Sequence, residues 1–149
     1  MSPGGQISYN DFANSLHHHT QGPDNHVGLG VPVMDGYNQE LISILWALPV
    51  MPDGVFSLLF AEMVRHSHEH FSQEEMLMRE TGFPGIDDHH DDHQRILDDL
   101  DSLLVMIQSG RMKMPREYIR DGMPGWYAIH HATLDSALAS FLRTELYLD

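Results

Sequence analysis

The sequence predicts an all-α protein, an up-and-down four-helix bundle that follows an extended N-terminal arm. Apolar residues recur at helical spacing in four stretches, and residues three or four positions apart share one helix face. Glycines and prolines separate the stretches, which predicts short connections. Four helices with short connections favour a bundle, and no internal repeat or low-complexity tract competes with that interpretation.

The predicted elements follow in order along the chain. Residues 1–28 are predicted to form the arm and residues 29–149 the bundle domain. The four helices are predicted over residues 35–48, 54–80, 87–108 and 115–147. Asp35 and Asp53 are predicted to cap the first two helices. In the fourth, Gly122 and Pro124 predict a short helix over residues 115–121, then a kink or break, and the main helix from Pro124 onward.

Length, charge and composition limit the function classes. A chain of 149 residues is predicted to form one domain, and its net charge of −14 argues against nucleic acids and anionic membrane surfaces as partners. The absence of cysteine excludes disulfides, thiolate metal sites and iron–sulfur clusters. Because no apolar run is long enough to span a membrane and no apolar signal core begins the chain, we expect a cytoplasmic protein.

Six candidate metal ligands lie in pairs on three of the predicted helices. The pairs are His70 with Glu74, His89 with His93, and His130 with Asp135. The first two pairs are four residues apart and so share a helix face, and the five-residue spacing of the third leaves a broad common face. Imidazoles with a carboxylate between them suit an ion of iron type. Because such groups need partners on an inward face, a shared metal explains them better than chance.

The other histidines and acids around these pairs are predicted to face solvent. They are His26, His66, His68 and His90, the adjacent Glu75, and Asp87, Asp88, Asp91 and Asp92 at the start of the third predicted helix. Three consecutive histidines at residues 17–19 form a loop, an adventitious metal binder or a remnant of an added segment. The sequence does not indicate which residues hold the second ring nitrogen of each ligand histidine.

Several motifs occur together, in order, over roughly residues 29–145. They are Gly30-Val31-Pro32 with Met34-Asp35, His70-Phe71-x-x-Glu74-Glu75-x-x-Met78, Gly82-Phe83-Pro84, His89-x-x-x-His93, Trp126-x-x-x-His130, and Asp135. In these motifs the chain resembles the bacterial branch of the hemerythrin family. The resemblance implies two non-haem irons, bridged by Glu74, Asp135 and an oxo or hydroxo group. It also implies that His89, His93 and His130 bind one iron and that His70 binds the other.

The chain departs from the family pattern at one ligand. The pattern has a histidine three residues after Asp35, where this chain has Asn38. An asparagine carbonyl oxygen is a weaker donor than imidazole, and the amide N–H groups bind no metal. Asn38 either ligates through its oxygen, holds a ligating water, or leaves the position to another residue. We favour a water or an open position.

The resemblance also implies a pocket for oxygen beside the irons, in which the chain departs from the family again. The residues implied to line it are Leu41, Phe71, Trp126, Tyr127 and His131. Tyr127 and His131 replace residues that are commonly apolar in the family, and their i, i+4 spacing permits a hydrogen bond. A phenol and an imidazole supply protons and admit water, which argues against durable oxygen carriage.

The resemblance therefore implies a protein that binds or reacts with dioxygen, nitric oxide or peroxide. We favour an oxygen- or redox-sensing domain that autoxidises rapidly and acts through a fused or separate signalling output domain. The alternative is a small enzyme that reduces peroxide or nitric oxide, with Tyr127 and His131 as proton donors. Oxygen carriage or storage ranks third because of Asn38.

Overall fold

A computed structural model of the chain describes residues 28–145, which are all-helical and contain no strand. The helical elements are α1 (Pro32–Ala47) with a 3₁₀ turn (Leu48–Val50), α2 (Asp53–Thr81), α3 (Ile86–Gln108), and a fourth segment made of α4 (Lys113–Glu117), a first π turn (Tyr118–Gly122), α5 (Met123–His130), a second π turn (His131–Asp135) and α6 (Ser136–Glu145). The prediction of four helices is confirmed in this part of the chain. The predicted arm, apart from Gly28, and the predicted end of the last helix lie outside the described residues.

The start of α1 differs from the prediction. Val31, not Asp35, is the N-cap residue, because Pro32 has the fixed φ of a first helical position and needs no N–H partner there. The Asp35 carboxylate instead folds back and accepts hydrogen bonds from the backbone N–H groups of Leu29, at 2.6 Å, and Gly30, at 3.2 Å. Asp35 therefore fastens the preceding segment to α1 rather than capping the helix.

The ends of α2 also show what the acidic and glycine residues do. Asp53 lies in the first turn of the helix, not before it, and accepts hydrogen bonds from Arg116 at 2.7 and 3.2 Å. At the other end Gly82 has φ 70°, a left-handed conformation that glycine adopts without strain. This turn lets the Phe83 N–H donate to the Met78 carbonyl at 2.9 Å, which closes the helix end.

The prediction for the fourth segment was a kink or a break, and a break is wrong. The chain remains helical from Lys113 onward, and the first π turn replaces the break. The Met123 N–H donates to the Tyr118 carbonyl, five residues earlier, immediately before Pro124, which has no N–H to donate. A π turn thus accommodates the missing donor without ending the helix.

Two apolar clusters form the core, one on each side of a polar layer. The larger cluster includes Leu41, Ile44, Leu48, Phe56, Phe60, Phe71, Leu100, Ile107, Ile119 and Met123. The smaller cluster contains Leu29, Val31, Met34, Met78, Phe83, Leu138, Ala139 and Leu142. Fully burying a large apolar side chain contributes about 1.5–3 kcal/mol, so both clusters stabilise the fold. No helix between residues 28 and 145 is long and apolar enough to cross a membrane.

The polar layer lies where each helix passes from one cluster to the other. Along α2, Glu74 follows Phe71 of the larger cluster and precedes Met78 of the smaller one. In the fourth segment, His130 and Asp135 lie between the same two clusters. Apolar side chains therefore close both ends of this layer and limit the access of water to it.

Candidate metal centre

Five buried side chains from three parts of the fold meet in the polar layer. They are Glu74 of α2, His89 and His93 of α3, His130 of α5 and Asp135 of the second π turn. One oxygen or ring nitrogen from each lies within 4.8 Å of the corresponding atom of every other. All five are buried, with relative exposures from 0% to 6%. This cluster of three imidazoles and two carboxylates could hold a metal ion.

The distances inside the cluster match those between ligands of one ion. Glu74 Oε1 lies 2.8 Å from His89 Nε2 and 3.3 Å from His93 Nε2. Asp135 Oδ1 lies 3.2 Å from His89 Nε2 and 3.0 Å from His130 Nε2. Two ligand atoms at right angles, each about 2.1 Å from an ion, are about 3 Å apart.

Several of these close atoms make no hydrogen bond within the described residues. They are Glu74 Oε1, Asp135 Oδ1 and the Nε2 atoms of His89 and His93. Buried polar atoms are almost always hydrogen-bonded, and leaving them without a partner costs free energy. Atoms within 3.3 Å that do not adopt hydrogen-bond geometry are expected when all of them face one cation. The donor set therefore fits a metal ion.

Glu74 also contacts a fourth histidine through its other oxygen. Glu74 Oε2 lies 3.0 Å from His70 Nε2, while Oε1 faces His89 and His93. His70 lies outside the five-residue set, and its side chain is 11% exposed. The ring of Tyr37 stacks on His70 with 3.3 Å between centroids. One carboxylate thus lies between His70 and the buried cluster, one oxygen facing each.

The second π turn explains the five-residue spacing of His130 and Asp135. A π turn pairs residues five apart, so it places Asp135 one turn after His130 on the same side of the segment. Asp135 Oδ1 and His130 Nε2 are accordingly 3.0 Å apart. Inside the turn the Ser136 hydroxyl donates to the His131 carbonyl at 2.8 Å. Single π turns occur frequently at functional sites.

Burial and proximity shift the pKa values in opposite directions. Burial raises the pKa of Glu74, but His70, His89 and His93 outweigh it and hold that pKa well below its usual value. Burial lowers the pKa of His89, but Asp135 and Glu74 outweigh it and raise the pKa to about 9. In the metal-free protein at pH 7 His89 therefore carries a proton that partly balances the carboxylates. A metal ion would displace this proton, so metal binding is expected to release protons.

Two carboxylates that were predicted to face solvent contact the cluster instead. Asp92 Oδ2 lies 2.7 Å from His130 Nδ1, and its side chain is only 20% exposed. Glu75, 14% exposed, pairs with His90 and lies 3.8 Å from His93 Nδ1. Both predictions were wrong because each residue turns toward the neighbouring helix. The only sequence signal was their position directly beside a ligand residue, about 100° around the helix.

Asp92 is expected to fix the orientation and tautomer of His130. Replacing it (Asp92→Asn) should weaken metal binding about 10- to 100-fold. The carboxylate accepts the Nδ1–H of His130 and raises the basicity of Nε2, and the variant loses both effects. The measurement is a competition for Zn²⁺ between the protein and a chromophoric chelator. Asp91→Asn removes the same charge from the exposed neighbouring position and should leave the affinity unchanged. Equal affinities for the two variants would show that Asp92 does not support the centre.

Aromatic rings cover two of the cluster's imidazoles. Phe71 stacks on His93 with centroids 4.0 Å apart, and Trp126 stacks on His130 with centroids 4.7 Å apart. The Phe71 and Trp126 rings meet edge to face at 6.3 Å. Leu41 is buried in the larger apolar cluster. The predicted pocket residues Phe71 and Trp126 therefore lie directly against candidate ligands.

The other predicted pocket residues form a polar group with Asn38. The Asn38 Nδ2 atom lies 3.4 Å from His131 Nδ1, and the Tyr127 hydroxyl lies 3.3 Å from the same nitrogen. Asn38 is 3% exposed. Burial, together with the charge of Asp135, raises the pKa of Tyr127, so the phenol keeps its proton at neutral pH. The predicted contact between Tyr127 and His131 is present, and Asn38 joins it.

The remaining histidines of α2 and α3 contact acids outside the cluster. His66 Nε2 lies 3.2 Å from Glu40, His68 Nε2 lies 2.8 Å from Asp101, and His90 pairs with Glu75. None of the three histidines belongs to the five-residue set. His26 and the histidines at residues 17–19 lie outside the described residues.

Comparison of the chain with models of protein families, with curated proteins and with solved structures gives no match.

Proposed function

We propose that this chain is a hemerythrin-like protein that holds two non-haem irons between the helices of an up-and-down bundle. The observation that carries the proposal is the position of Glu74, with one oxygen facing His70 and the other facing His89 and His93. A carboxylate placed in this way can bridge two ions. The mixture of imidazoles and carboxylates suits iron.

The donor atoms divide unequally between the two iron positions. His89, His93 and His130 would hold one iron together with an oxygen each from Glu74 and Asp135. His70 and the second Glu74 oxygen would hold the other. Asn38 occupies the position where the family pattern has a further histidine, and its Nδ2 atom lies 3.4 Å from His131 Nδ1. The second position therefore has fewer imidazoles and room for an exchangeable ligand.

The polar group beside the centre favours reaction over storage of oxygen. Ferrous irons at the two positions would supply electrons for binding or reducing dioxygen, nitric oxide or peroxide. Tyr127 keeps its phenolic proton and lies 3.3 Å from the His131 imidazole, so this pair would hold a proton beside the centre that a reduced oxygen species, a much stronger base, could take up. Apolar residues in their place would offer no proton. We therefore propose an iron centre that dioxygen oxidises readily.

Within this class we favour a sensor of oxygen or redox state. In a sensor, oxidation of the centre must change the position of a helix. The candidate ligands His130 and Asp135 lie immediately before and at the end of the second π turn, and α6 follows it directly. Such a change would reach a fused or separate signalling domain through α6. A small enzyme that reduces peroxide or nitric oxide is the second candidate, favoured by the contact between Tyr127 and His131.

The test is the optical spectrum of the reduced, iron-loaded protein as air is mixed in without other reactants. We expect the spectrum of the reduced protein to change to that of a stable oxidised form while the mixing is being followed. A coloured form that persists and reverses when oxygen is removed would identify an oxygen carrier and overturn the proposal of a reactive centre. Repeated consumption of added peroxide by the same sample would select the enzyme over the sensor.

A further inference from the structure

A polar groove between α1 and α2 leads from solvent to His70. It has a volume of about 210 Å³, and its lining includes Tyr37, Glu40, His66, Glu69 and His70. Side-chain exposure falls from 55% at Glu69 through 38% at Glu40 and 26% at His66 to 11% at His70. Among the candidate ligands, His70 has the most exposed side chain, since the others are 0% to 5% exposed. The groove is therefore where the candidate metal centre comes closest to solvent.

The middle of this groove carries a pair of potential cation ligands. Glu40 Oε2 on α1 lies 3.2 Å from His66 Nε2 on α2. Burial lowers the pKa of His66, although Glu40 opposes this, so the imidazole is neutral at pH 7. A carboxylate beside a neutral imidazole offers two donor atoms to a divalent cation. The Arg65 guanidinium lies on the outer side, where it pairs with Glu62 and Glu69.

Tyr37 connects this pair to the centre. Its ring stacks on His66 with 4.9 Å between centroids and on His70 with 3.3 Å. Its hydroxyl lies 3.3 Å from the Ser67 hydroxyl, in the interior. His66 and His70 are one helical turn apart, about 6 Å along the axis. A cation that leaves Glu40 and His66 would therefore move about 6 Å, around the edge of the Tyr37 ring, to reach His70.

We propose that this groove is the uptake route for divalent metal ions, with Glu40 and His66 as a transient binding site before His70 and Glu74. This uptake route depends on the proposed function in one respect, that the centre holds a metal ion. Stepwise exchange of ligands keeps a partly dehydrated cation in contact with donors at every stage, which lowers the cost of moving a charge into the interior. The negative charge of Glu40 and Glu69 raises the local cation concentration at the mouth of the groove.

The test is the rate at which the metal-free chain of 149 residues takes up Co²⁺, followed by stopped-flow absorbance. The variant Glu40→Gln with His66→Gln removes the transient site and none of the proposed centre. We expect the uptake rate to fall by about tenfold, because the variant loses both electrostatic steering and the intermediate donor atoms. The final cobalt content should equal that of the unchanged protein. Raising the ionic strength should slow the unchanged protein more than the variant.

Glu80→Gln is the matched control, since Glu80 is an exposed glutamate of α2 about 15 Å along the helix from His70. Its uptake rate should stay within about twofold of the unchanged protein, since a distant charge is screened. Glu40→Lys should slow uptake more than Glu40→Gln. Because the affinity is unchanged, the release of Co²⁺ from the loaded double variant to a chelator should slow by the same factor. The release measurement starts from the metal-loaded variant, so it does not require the metal-free variant to fold well.

The possible outcomes separate this proposal from the previous one. A double variant that fills at the rate of Glu80→Gln and reaches full cobalt content overturns the uptake route and leaves the metal centre standing. An unchanged protein that takes up no Co²⁺ and no Fe²⁺ overturns both proposals. Slow uptake together with a lowered final content would make Glu40 and His66 part of the metal centre, which also contradicts a transient role.

Discussion

Replacing Glu74 with glutamine is expected to lower the iron content of the loaded protein from two ions per chain to at most one. One oxygen of Glu74 lies 3.0 Å from His70 Nε2. The other lies 2.8 Å from His89 Nε2 and 3.3 Å from His93 Nε2. The amide keeps the size of the side chain but loses the charge and one acceptor oxygen. Iron per chain after anaerobic loading and removal of excess metal is the measurement.

The same substitution should remove most of the stabilisation that metal provides. A ligand at a thousand times its dissociation constant stabilises a fold by about 4 kcal/mol, which for a chain of this size corresponds to on the order of 10 °C in Tm. We expect the difference in Tm between loaded and metal-free protein to shrink by about that amount in Glu74→Gln. Glu80→Gln makes the same chemical change at an exposed position later in α2, and its iron content should be retained. Two tightly bound irons in Glu74→Gln would contradict the bridging role.

Replacing Asn38 with histidine should slow the oxidation of the reduced, iron-loaded protein in air by about tenfold or more, equivalent to at least about 1.4 kcal/mol in the barrier. Asn38 is buried, lies beside Tyr37 in α1 and contacts His131. An imidazole at this position is a stronger metal donor than an amide oxygen and would occupy an otherwise exchangeable position. In the proposed di-iron centre it would also lie between the second iron and the pair Tyr127 and His131, which we propose as proton donors.

The measurement is the rate constant for oxidation after mixing with air-saturated buffer, for three proteins side by side. Asn38→Gln is the control, because it enlarges the side chain without adding an imidazole and should oxidise as fast as the unchanged protein. If Asn38→His oxidises as fast as the control while it holds the same amount of iron, the amide at this position does not explain the reactivity.

The sequence was sufficient to predict four helical segments and five of the acidic and histidine side chains that meet in the buried cluster. Periodicity and the glycine and proline positions define four helical segments, and a four-residue spacing fixes which side chains share a face. The meeting of Glu74, His89 and His93 follows from those two facts once α2 and α3 pack together. This information is local or periodic, which is the kind that a single sequence carries.

What could not be predicted depends on contacts between distant residues. Asp92 resembles its exposed neighbour Asp91 in sequence, and only the position of His130 on another helix distinguishes them. Asp35 has the sequence signature of an N-cap, but the backbone N–H groups of Leu29 and Gly30 compete for its carboxylate. The π turns follow no simple periodicity. The pair Glu40 and His66 likewise becomes visible only when α1 lies against α2.

The most direct test of the central claim is the number of iron ions that the protein retains after anaerobic loading with Fe²⁺ and passage through a desalting column. It should be made on the variant with His17, His18 and His19 replaced by alanine, because those residues can bind metal adventitiously. We expect two irons per chain, both lost when Glu74 and His89 are replaced together. One iron per chain would contradict a di-iron centre, and a count near zero would show that the buried cluster holds no iron.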